Sequence, residues 1–256
     1  MTDLPVDIGY DFGMSFAFPQ TALDWMLEDC GPSLLVMAES LSLPRVLERR
    51  GCSVVAIHRD PVRLHTAMET AASRVSARPE ALPFGDCRFD AVFVHQLFAD
   101  VAPGLALQEF ARVLRPKGRL LISHLGRDDS VPWVHRLALV MQSIDETAMT
   151  APSAADVLAV AAGCKYFKGA VRNFRHWEPV SREGLISMAM GLPAARRLDE
   201  AGRYRFVNAV AAVHDQAAGH NQLRLPYQLG CWRGVVDQNE LTRPVGMDES
   251  GLVIRV

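Results

Sequence analysis

Three histidines at the ends of apolar segments are the residues of this chain that could carry chemistry. His58, His95 and His124 each close a short run of apolar residues. An imidazole with an ordinary pKa of about 6.5 can act as a general base toward an acceptor oxygen or nitrogen. A histidine in such a place can equally be a hydrogen-bonded residue of the wall, so both interpretations stay open.

The elements that must position these histidines alternate between two periodicities. Apolar runs at 33–38, 53–58, 89–95 and 119–124 predict strands. Helical spacing predicts helices over 43–50, from Asp60 and Pro61 to about Arg74, and over 105–114. This alternation predicts a parallel sheet with helices on both faces. Because ligands bind at the carboxyl ends of such strands, we expect the site just after Ala38 and the three histidines.

The second half of the chain predicts further helices and one late strand. Apolar residues share one helical face over 131–148, which fits a lid or partner surface, or a helix packed on the sheet. Segments 181–190 and 203–217 also have helical spacing, and 225–233 resembles a strand. The polar segment 238–250 predicts a linker, and the tail 252–256 could join a sheet edge or be frayed.

Composition restricts the class of protein. The chain has 256 residues, 49% hydrophobic and 22% charged, which is typical of a globular protein. Its net charge of −2 gives no field that would attract nucleic acid, and no apolar run is long enough to predict a membrane span. Five scattered cysteines and the absence of a leader pattern favour a cytoplasmic location, and no spacing predicts a metal site.

Three segments carry a resemblance to a known family. They are Glu80-Ala-Leu-Pro-Phe84, Arg88-Phe-Asp-Ala-Val92 and Leu107-Gln-Glu-Phe-Ala-Arg-Val-Leu-Arg-Pro-Lys-Gly118. In motif and spacing they resemble the class I S-adenosylmethionine-dependent methyltransferases of the type 11 group. The resemblance covers about residues 10–237. It implies an α/β, Rossmann-like class I methyltransferase fold, with a doubly wound, mostly parallel seven-stranded sheet that has one antiparallel strand near its edge.

The resemblance also implies a division of the chain. Residues 1–237 form the methyltransferase-like domain, and 238–256 form a polar linker and tail. Within the domain, the expected parts are an N-terminal helical cap (10–30), the core (33–124), helices of the lid or substrate side (128–190) and the last helix and strand (203–237).

S-adenosylmethionine is the cofactor that the resemblance implies. Family members bind it with a glycine-rich turn after the first strand, an acid at the end of the second strand and another acid before the Leu-Pro-Phe segment. Residues that the resemblance places along the cleft are Ala38, Leu82 and His95. His95 and His124 are the candidates for a general base.

The sequence departs from the family at the cofactor positions. The glycine-rich motif falls on Leu35, Met37, Glu39 and Leu41. No glycine occurs between Gly31 and Gly51. His58 and Arg78 stand where the family has its two acids. Side chains therefore occupy positions where the main chain should approach the ligand.

These replacements favour a pseudo-methyltransferase that serves as a binding or partner subunit. Glu39 could pair with Arg78 or His58 and fill the pocket. Alternatively, His58, Arg59 and Arg78 could receive an anionic metabolite, which would make the chain a sensor. An active methyltransferase that holds S-adenosylmethionine in an unusual way and acts on a small molecule is the remaining alternative. The sequence leaves a homo- or hetero-oligomer and a small-molecule ligand open as partners.

Overall fold

A computed structural model describes residues 18–38, 42–65, 72–128, 130–150, 153–218, 222–241, 247–248 and 251–252. The strands of the main sheet are β1 (Ser33–Ala38), β2 (Ser53–His58), β3 (Ser73–Ser76), β4 (Phe89–His95), β5 (Leu114–Arg127), β6 (Phe167–Pro179) and β7 (Arg224–Val236). The helices are α1 (Gln20–Leu27), α2 (Ser42–Arg49), α3 (Pro61–His65), α4 (Pro103–Val113), α5 (Pro132–Gln142), α6 (Ala154–Ala162), α7 (Arg182–Met190), α8 (Glu200–Ala218) and α9 (Gln238–Leu241).

The seven strands form one sheet in the order β3-β2-β1-β4-β5-β7-β6. Strands β1 to β5 pair in parallel, whereas β7 runs antiparallel to both β5 and β6. The fold expected from the sequence, with one antiparallel strand next to the edge, is therefore confirmed. The strand order reverses between β1 and β4, which is the point where open α/β sheets bind ligands.

Two apolar clusters cover the two faces of the sheet. Alternate residues of β1 show the division, because side chains along a strand point to opposite faces. Leu34 and Val36 pack with α1 and α2, whereas Leu35 and Met37 pack on the side of α4 and α6. The sheet is therefore buried on both faces, as continuous apolar runs in parallel strands predict.

Helix α5 packs away from the sheet's centre. Its buried residues Val134, Leu137 and Met141 join an apolar cluster with α7, α8 and Leu225 at the start of β7. The helix predicted over 131–148 is observed only over Pro132–Gln142, so it is shorter than expected. Its apolar face is covered mainly by helices and not by the sheet.

Two edge strands, β3 and β6, differ from the prediction made from the sequence. The helix expected from Asp60 to about Arg74 is wrong at its end, because Arg74 lies in β3 and pairs with Ala56 of β2. Residues 66–71 between them lie outside the described part. Strand β6 was not predicted at all, because most of its residues are exposed and its apolar residues form no continuous run. Pairing with a neighbour, and not an apolar run, makes both segments strands.

The C-terminal segment contains more regular structure than the predicted linker. Helix α9 occupies its start, and two short strands, β8 (Met247–Asp248) and β9 (Gly251–Leu252), pair with each other. Residues 242–246, 249–250 and 253–256, like 1–17 at the other end, lie outside the described part. Among the described residues, no helix has the length and apolar character needed to cross a bilayer.

Candidate functional site

The candidate residues form a row across the carboxyl ends of four strands. Ala38 of β1 is level with His95 of β4, and His95 is level with Ser123 of β5. On the other side, Met37 is level with Ile57, so Ala38 lies next to His58 at the end of β2. The sheet thus brings His58 and His95 to the same edge, on the two sides of β1.

His95 is completely buried and bonded to one neighbour. Its Nδ1 lies 2.8 Å from the hydroxyl oxygen of Ser123. The ring of Phe18, which precedes α1, packs edge-on against the imidazole with centroids 5.4 Å apart. Its other nitrogen, Nε2, is buried and has no hydrogen-bond partner in the part of the chain that the structure describes.

Burial, together with a smaller contribution from the nearby His124, lowers the pKa of His95 to about 3. The imidazole is therefore neutral at physiological pH, and it is a poor acceptor of a further proton. This environment suits a hydrogen-bonding residue better than a general base, whose pKa should lie near the working pH.

His124 does not converge with His95 on one side of the sheet. It follows Ser123 directly, and consecutive strand residues point to opposite faces. Its side chain is nearly buried, with 6% exposed. The two candidates for a general base therefore lie on different faces of the same edge.

His58, which we expect at the position of the family's ribose-binding acid, has its Nδ1 engaged by the backbone. The backbone N–H of Asp60 donates to its Nδ1 at 2.9 Å. The same Nδ1 lies 3.1 Å from the carbonyl oxygen of Asp60, so the backbone of Asp60 occupies this nitrogen in either tautomer. Only 8% of the residue is exposed, so its freedom to reorient is small.

The two arginines near this edge differ in their contacts. Arg59 donates to the carbonyl of Asp100 at 3.2 Å and lies 3.7 Å from the carboxylate of Glu80. Arg78 is exposed, its backbone bridges to Ala81, and no ion pair of its side chain is found among the described residues.

The positions aligned with the glycine-rich turn are only partly described. Leu35 and Met37 are buried in the apolar cluster on the α4 side, so both side chains belong to the core. Glu39 and Leu41 lie outside the described residues. Leu82, expected along the cleft, is buried in the same cluster, with 6% exposed.

Arg112 organises the Leu-Pro-Phe segment, a role that the motif alone did not reveal. Its guanidinium donates to both oxygens of Glu109 at 2.7 Å, and to the carbonyls of Phe84 and Leu82 at 2.7 and 3.2 Å. It also reaches the carboxylate of Asp86 at 2.8 Å. Glu109 in turn accepts the N–H of Leu82 at 2.8 Å. The motif's glutamate and arginine therefore fasten this segment to α4.

Gln96 joins the ends of β4 and β5 with its side chain. The amide donates to the carbonyl of Leu125 at 3.2 Å and accepts the N–H of Leu125 at 2.8 Å. These two bonds extend the hydrogen-bond ladder between β4 and β5 beyond His95. The backbone of Gln96 itself turns away from this ladder, with φ of 66°. Such a φ is unusual for a residue other than glycine and often marks a functional turn.

The described residues do not fit S-adenosylmethionine in the way that the family holds it. A carboxylate offers two oxygens that accept ribose hydroxyl hydrogens, whereas an imidazole has at most one acceptor nitrogen, and Nδ1 of His58 is occupied by the backbone of Asp60. Arg78 is a cation and cannot accept a hydrogen bond from an adenine amine. Neither position therefore offers the pair of acceptor oxygens that a carboxylate would.

Other sites give no stronger candidate. No cluster of three or more His, Cys, Asp or Glu side chains suited to a metal ion occurs among the residues that the structure describes. A surface pocket of about 260 Å³ lies at the other end of the strands from the histidine row, beside Lys117, Lys168 and Asp237. It shares no residue with the histidine row.

Comparisons with known proteins agree with the sheet order. Residues 40–122 match a sequence family described as a methyltransferase domain. An uncharacterized methyltransferase of Mycobacterium tuberculosis (strain ATCC 25618 / H37Rv) is 34% identical over 128 residues, which are 49% of this chain and 53% of that protein. An uncharacterized methyltransferase of Mycobacterium bovis matches with the same identity and coverage. The chain thus spans about half the length of the curated relatives it matches.

Solved structures share the fold at low identity. A candidate methyltransferase from an antibiotic biosynthesis pathway of Anabaena variabilis has a TM-score of 0.60 and 13% identity, over 82% of this chain and 94% of that one. The YcgJ protein of Bacillus subtilis has a TM-score of 0.53 and 13% identity, over 85% of this chain and 99% of that one. At these identities the likeness concerns the fold alone.

Proposed function

We propose that this chain, which has the class I S-adenosylmethionine-dependent methyltransferase fold and carries a methyltransferase domain over residues 40–122, is a pseudo-methyltransferase. It keeps the architecture but does not bind the methyl donor in the usual way, and it serves as a binding or partner subunit. The observation that carries this proposal is the hydrogen bond from the N–H of Asp60 to Nδ1 of His58.

The bond matters because it fixes what the end of β2 can offer. A ribose presents two hydroxyl hydrogens to this position in the family, and an acid accepts both. An imidazole has at most one acceptor nitrogen, and the backbone of Asp60 already occupies Nδ1 of His58. Nε2 alone remains for a ligand, and a single ring nitrogen cannot accept both ribose hydroxyl hydrogens as a carboxylate does.

The size of the loss supports weak binding. A hydrogen bond to a charged group contributes about 1.5–3 kcal/mol net. Losing the pair that a carboxylate makes would cost about 3–6 kcal/mol, which is roughly a hundred- to ten-thousandfold in affinity. The absence of any glycine between Gly31 and Gly51 adds to this effect, because the turn after β1 must then carry side chains.

Titration calorimetry with S-adenosylmethionine and with S-adenosylhomocysteine tests the proposal. We expect no saturable heat below millimolar concentrations of either compound, from protein whose cooperative thermal unfolding shows that it is folded. Micromolar affinity for the methyl donor would overturn the proposal. Transfer of labelled methyl groups to small-molecule acceptors would favour the alternative, an active enzyme.

A sensor of an anionic metabolite is a second candidate, favoured by the exposed Arg78. Arg78 follows the end of β3, the strand that pairs with His58 through Ser76, and no ion pair of its side chain occurs among the described residues. Arginine binds phosphate and carboxylate groups through its planar fork of donors. Thermal stabilisation by inorganic phosphate that is lost in Arg78→Ala would support this function, and an unchanged shift would refute it.

A cytoplasmic location belongs to the same proposal. All five cysteines are free thiols, which suits a reducing compartment. Fractionation of cells that express the chain at native levels tests this location.

A further inference from the structure

Strand β6 is the outer strand of the sheet and has one open side. Over all thirteen residues from Phe167 to Pro179 it pairs with β7. No strand in the described part of the chain pairs with its other side. An edge strand of this length exposes a row of N–H and C=O groups, which is a template for pairing with another chain.

The hydrogen bonds at both ends of β6 show which peptide groups face outward. The N–H of Val180 donates to the carbonyl of Leu223 at 3.0 Å, and the carbonyl of Tyr166 accepts the N–H of Asp237 at 2.8 Å. The register between these two points is continuous. Bonded and non-bonded residues alternate in antiparallel pairs, so even-numbered residues of β6 bond to β7. The odd-numbered residues direct their N–H and C=O groups to the open side.

Exposed apolar side chains lie along this open strand. Val171 is 50% exposed and Trp177 is 46% exposed, and both are odd-numbered and share one face. Proteins usually protect a long edge strand with charges, prolines or a covering element. Strand β6 carries charges, but it also exposes this indole and valine, which a covering surface would bury.

We propose that β6 pairs with β6 of a second copy of this chain, in antiparallel orientation about a two-fold axis at Asn173. Outward-facing residues must pair with outward-facing residues, so odd-numbered residues meet odd-numbered ones. In this register Trp177 lies opposite Gly169 of the other copy, and Val171 lies opposite Arg175. Both exposed apolar side chains are thereby covered.

The charges of β6 favour this register over its neighbours. Centred on Asn173, the strand places Lys168 opposite Glu178 of the other copy, twice by symmetry. Centring it on Arg172 or on Arg175 would set that arginine against itself. Centring it on Phe174 would leave Glu178 without a facing cation. Opposite charges that face each other across strands stabilise the pair, and like charges destabilise it.

Existing contacts of the two charged residues do not prevent the pairing. Lys168 lies 3.0 Å from the carboxylate of Asp237, and Glu178 lies 2.7 Å from Nε2 of His176. The Lys168 side chain is 82% exposed, and ion pairs at such positions contribute little and rearrange readily. The inference is independent of whether the chain binds S-adenosylmethionine.

Sedimentation velocity over a range of protein concentrations tests the dimer, with variants that reverse the charges of Lys168 and Glu178. We expect the wild-type chain to show a concentration-dependent species of twice the single-chain mass. Glu178→Lys and Lys168→Glu should each weaken the dimer by about tenfold, because two like-charge pairs replace two attractive pairs. The double variant K168E/E178K should restore the wild-type dissociation constant.

Two further variants separate the interface from general effects. Glu146→Lys makes the same charge change at an exposed residue away from β6, and it should leave the dimer unchanged. Asn173→Pro removes an outward N–H at the two-fold axis without removing a bond to β7, and it should abolish the dimer while the monomer unfolds normally. A wild-type chain that stays monomeric overturns the proposal. So does a dimer that none of the β6 variants weakens.

Discussion

The carboxylate of Asp90 accepts the backbone N–H of Ser33 at 2.9 Å and thereby fixes the start of β1 to β4. The same carboxylate receives the guanidinium of Arg115 at 2.7 Å. A side chain at Gly31 would meet this carboxylate at 2.5 Å, so the residue there must be glycine. Asp90, which is also part of the family motif, therefore acts at the amino ends of the strands and not in the ligand cleft.

Asp90→Asn should destabilise the fold by about 1–3 kcal/mol at pH 7, because it removes the charge from two partly buried hydrogen bonds. Urea unfolding of the wild type and the variant measures the difference. Asp24→Asn, which affects an exposed ion pair with Arg50, is the control and should change stability by less than about 0.5 kcal/mol.

This difference should depend on pH in a defined direction. Burial raises the pKa of Asp90, but the hydrogen bonds from Ser33 and Arg115 outweigh it, so the net pKa lies below the ordinary 3.8. A carboxyl with a lowered pKa stabilises the fold above its unfolded pKa and loses that contribution as the pH falls through its folded pKa. The gap between wild type and Asp90→Asn should therefore shrink below pH 3.8. A gap that widens in acid would contradict this account.

His95→Gln should make the free energy of unfolding depend less on pH between pH 7 and pH 4. In the unfolded chain His95 takes up a proton near 6.5, whereas burial keeps its folded pKa at about 3. Between these values the unfolded state binds one more proton, so wild-type stability should fall with decreasing pH by about 1.4 kcal/mol per unit from this residue. Urea unfolding from pH 7 to pH 4 measures the slope. His135→Gln, the same substitution at an exposed histidine, is the matched control.

Arg112→Lys should destabilise the Leu-Pro-Phe segment although the charge is kept. A lysine cannot reproduce the fork that joins Glu109, Asp86 and the carbonyls of Phe84 and Leu82. We expect a loss of about 2–4 kcal/mol and faster amide exchange at Leu82, which loses its restrained acceptor Glu109. Arg136→Lys on the exposed face of α5 is the matched control. Equal effects of the two substitutions would contradict this role of Arg112.

His58→Asp should increase the affinity for S-adenosylmethionine by at least about tenfold, because an acid at this position can accept the ribose hydroxyls. Calorimetry compares it with the wild type. Ser76→Asp adds a carboxylate at the neighbouring, exposed position of β3 and controls for charge alone. If the two variants gain equally, the lack of a carboxylate at position 58 is not what limits binding.

Much of the fold could be predicted because its central strands are buried on both faces. Strands β1, β2 and β4 coincide with the apolar runs 33–38, 53–58 and 89–95. Strands β3 and β6 could not be predicted, because one-sided edge strands carry no continuous apolar signal. Their strand structure depends on partners that are distant in sequence.

The candidate site was predictable in position but not in chemistry. The carboxyl ends of the strands place His58, His95 and Ser123 along one edge, as the alternation of elements implies. The engaged nitrogen of His58 depends on the turn at Asp60, and the low pKa of His95 depends on burial under Phe18. Neither follows from residue type or spacing.

The late position of β7 in the chain has a consequence for synthesis on the ribosome. Because β7 lies between β5 and β6, a nascent chain that ends at α8 has made both neighbours but not the strand that joins them. The edges of β5 and β6 then stay open until the last strand emerges, and exposed strand edges favour aggregation. Truncation before β7 should therefore release β6 from the domain altogether, and the chain should complete its sheet only after translation has passed Val236.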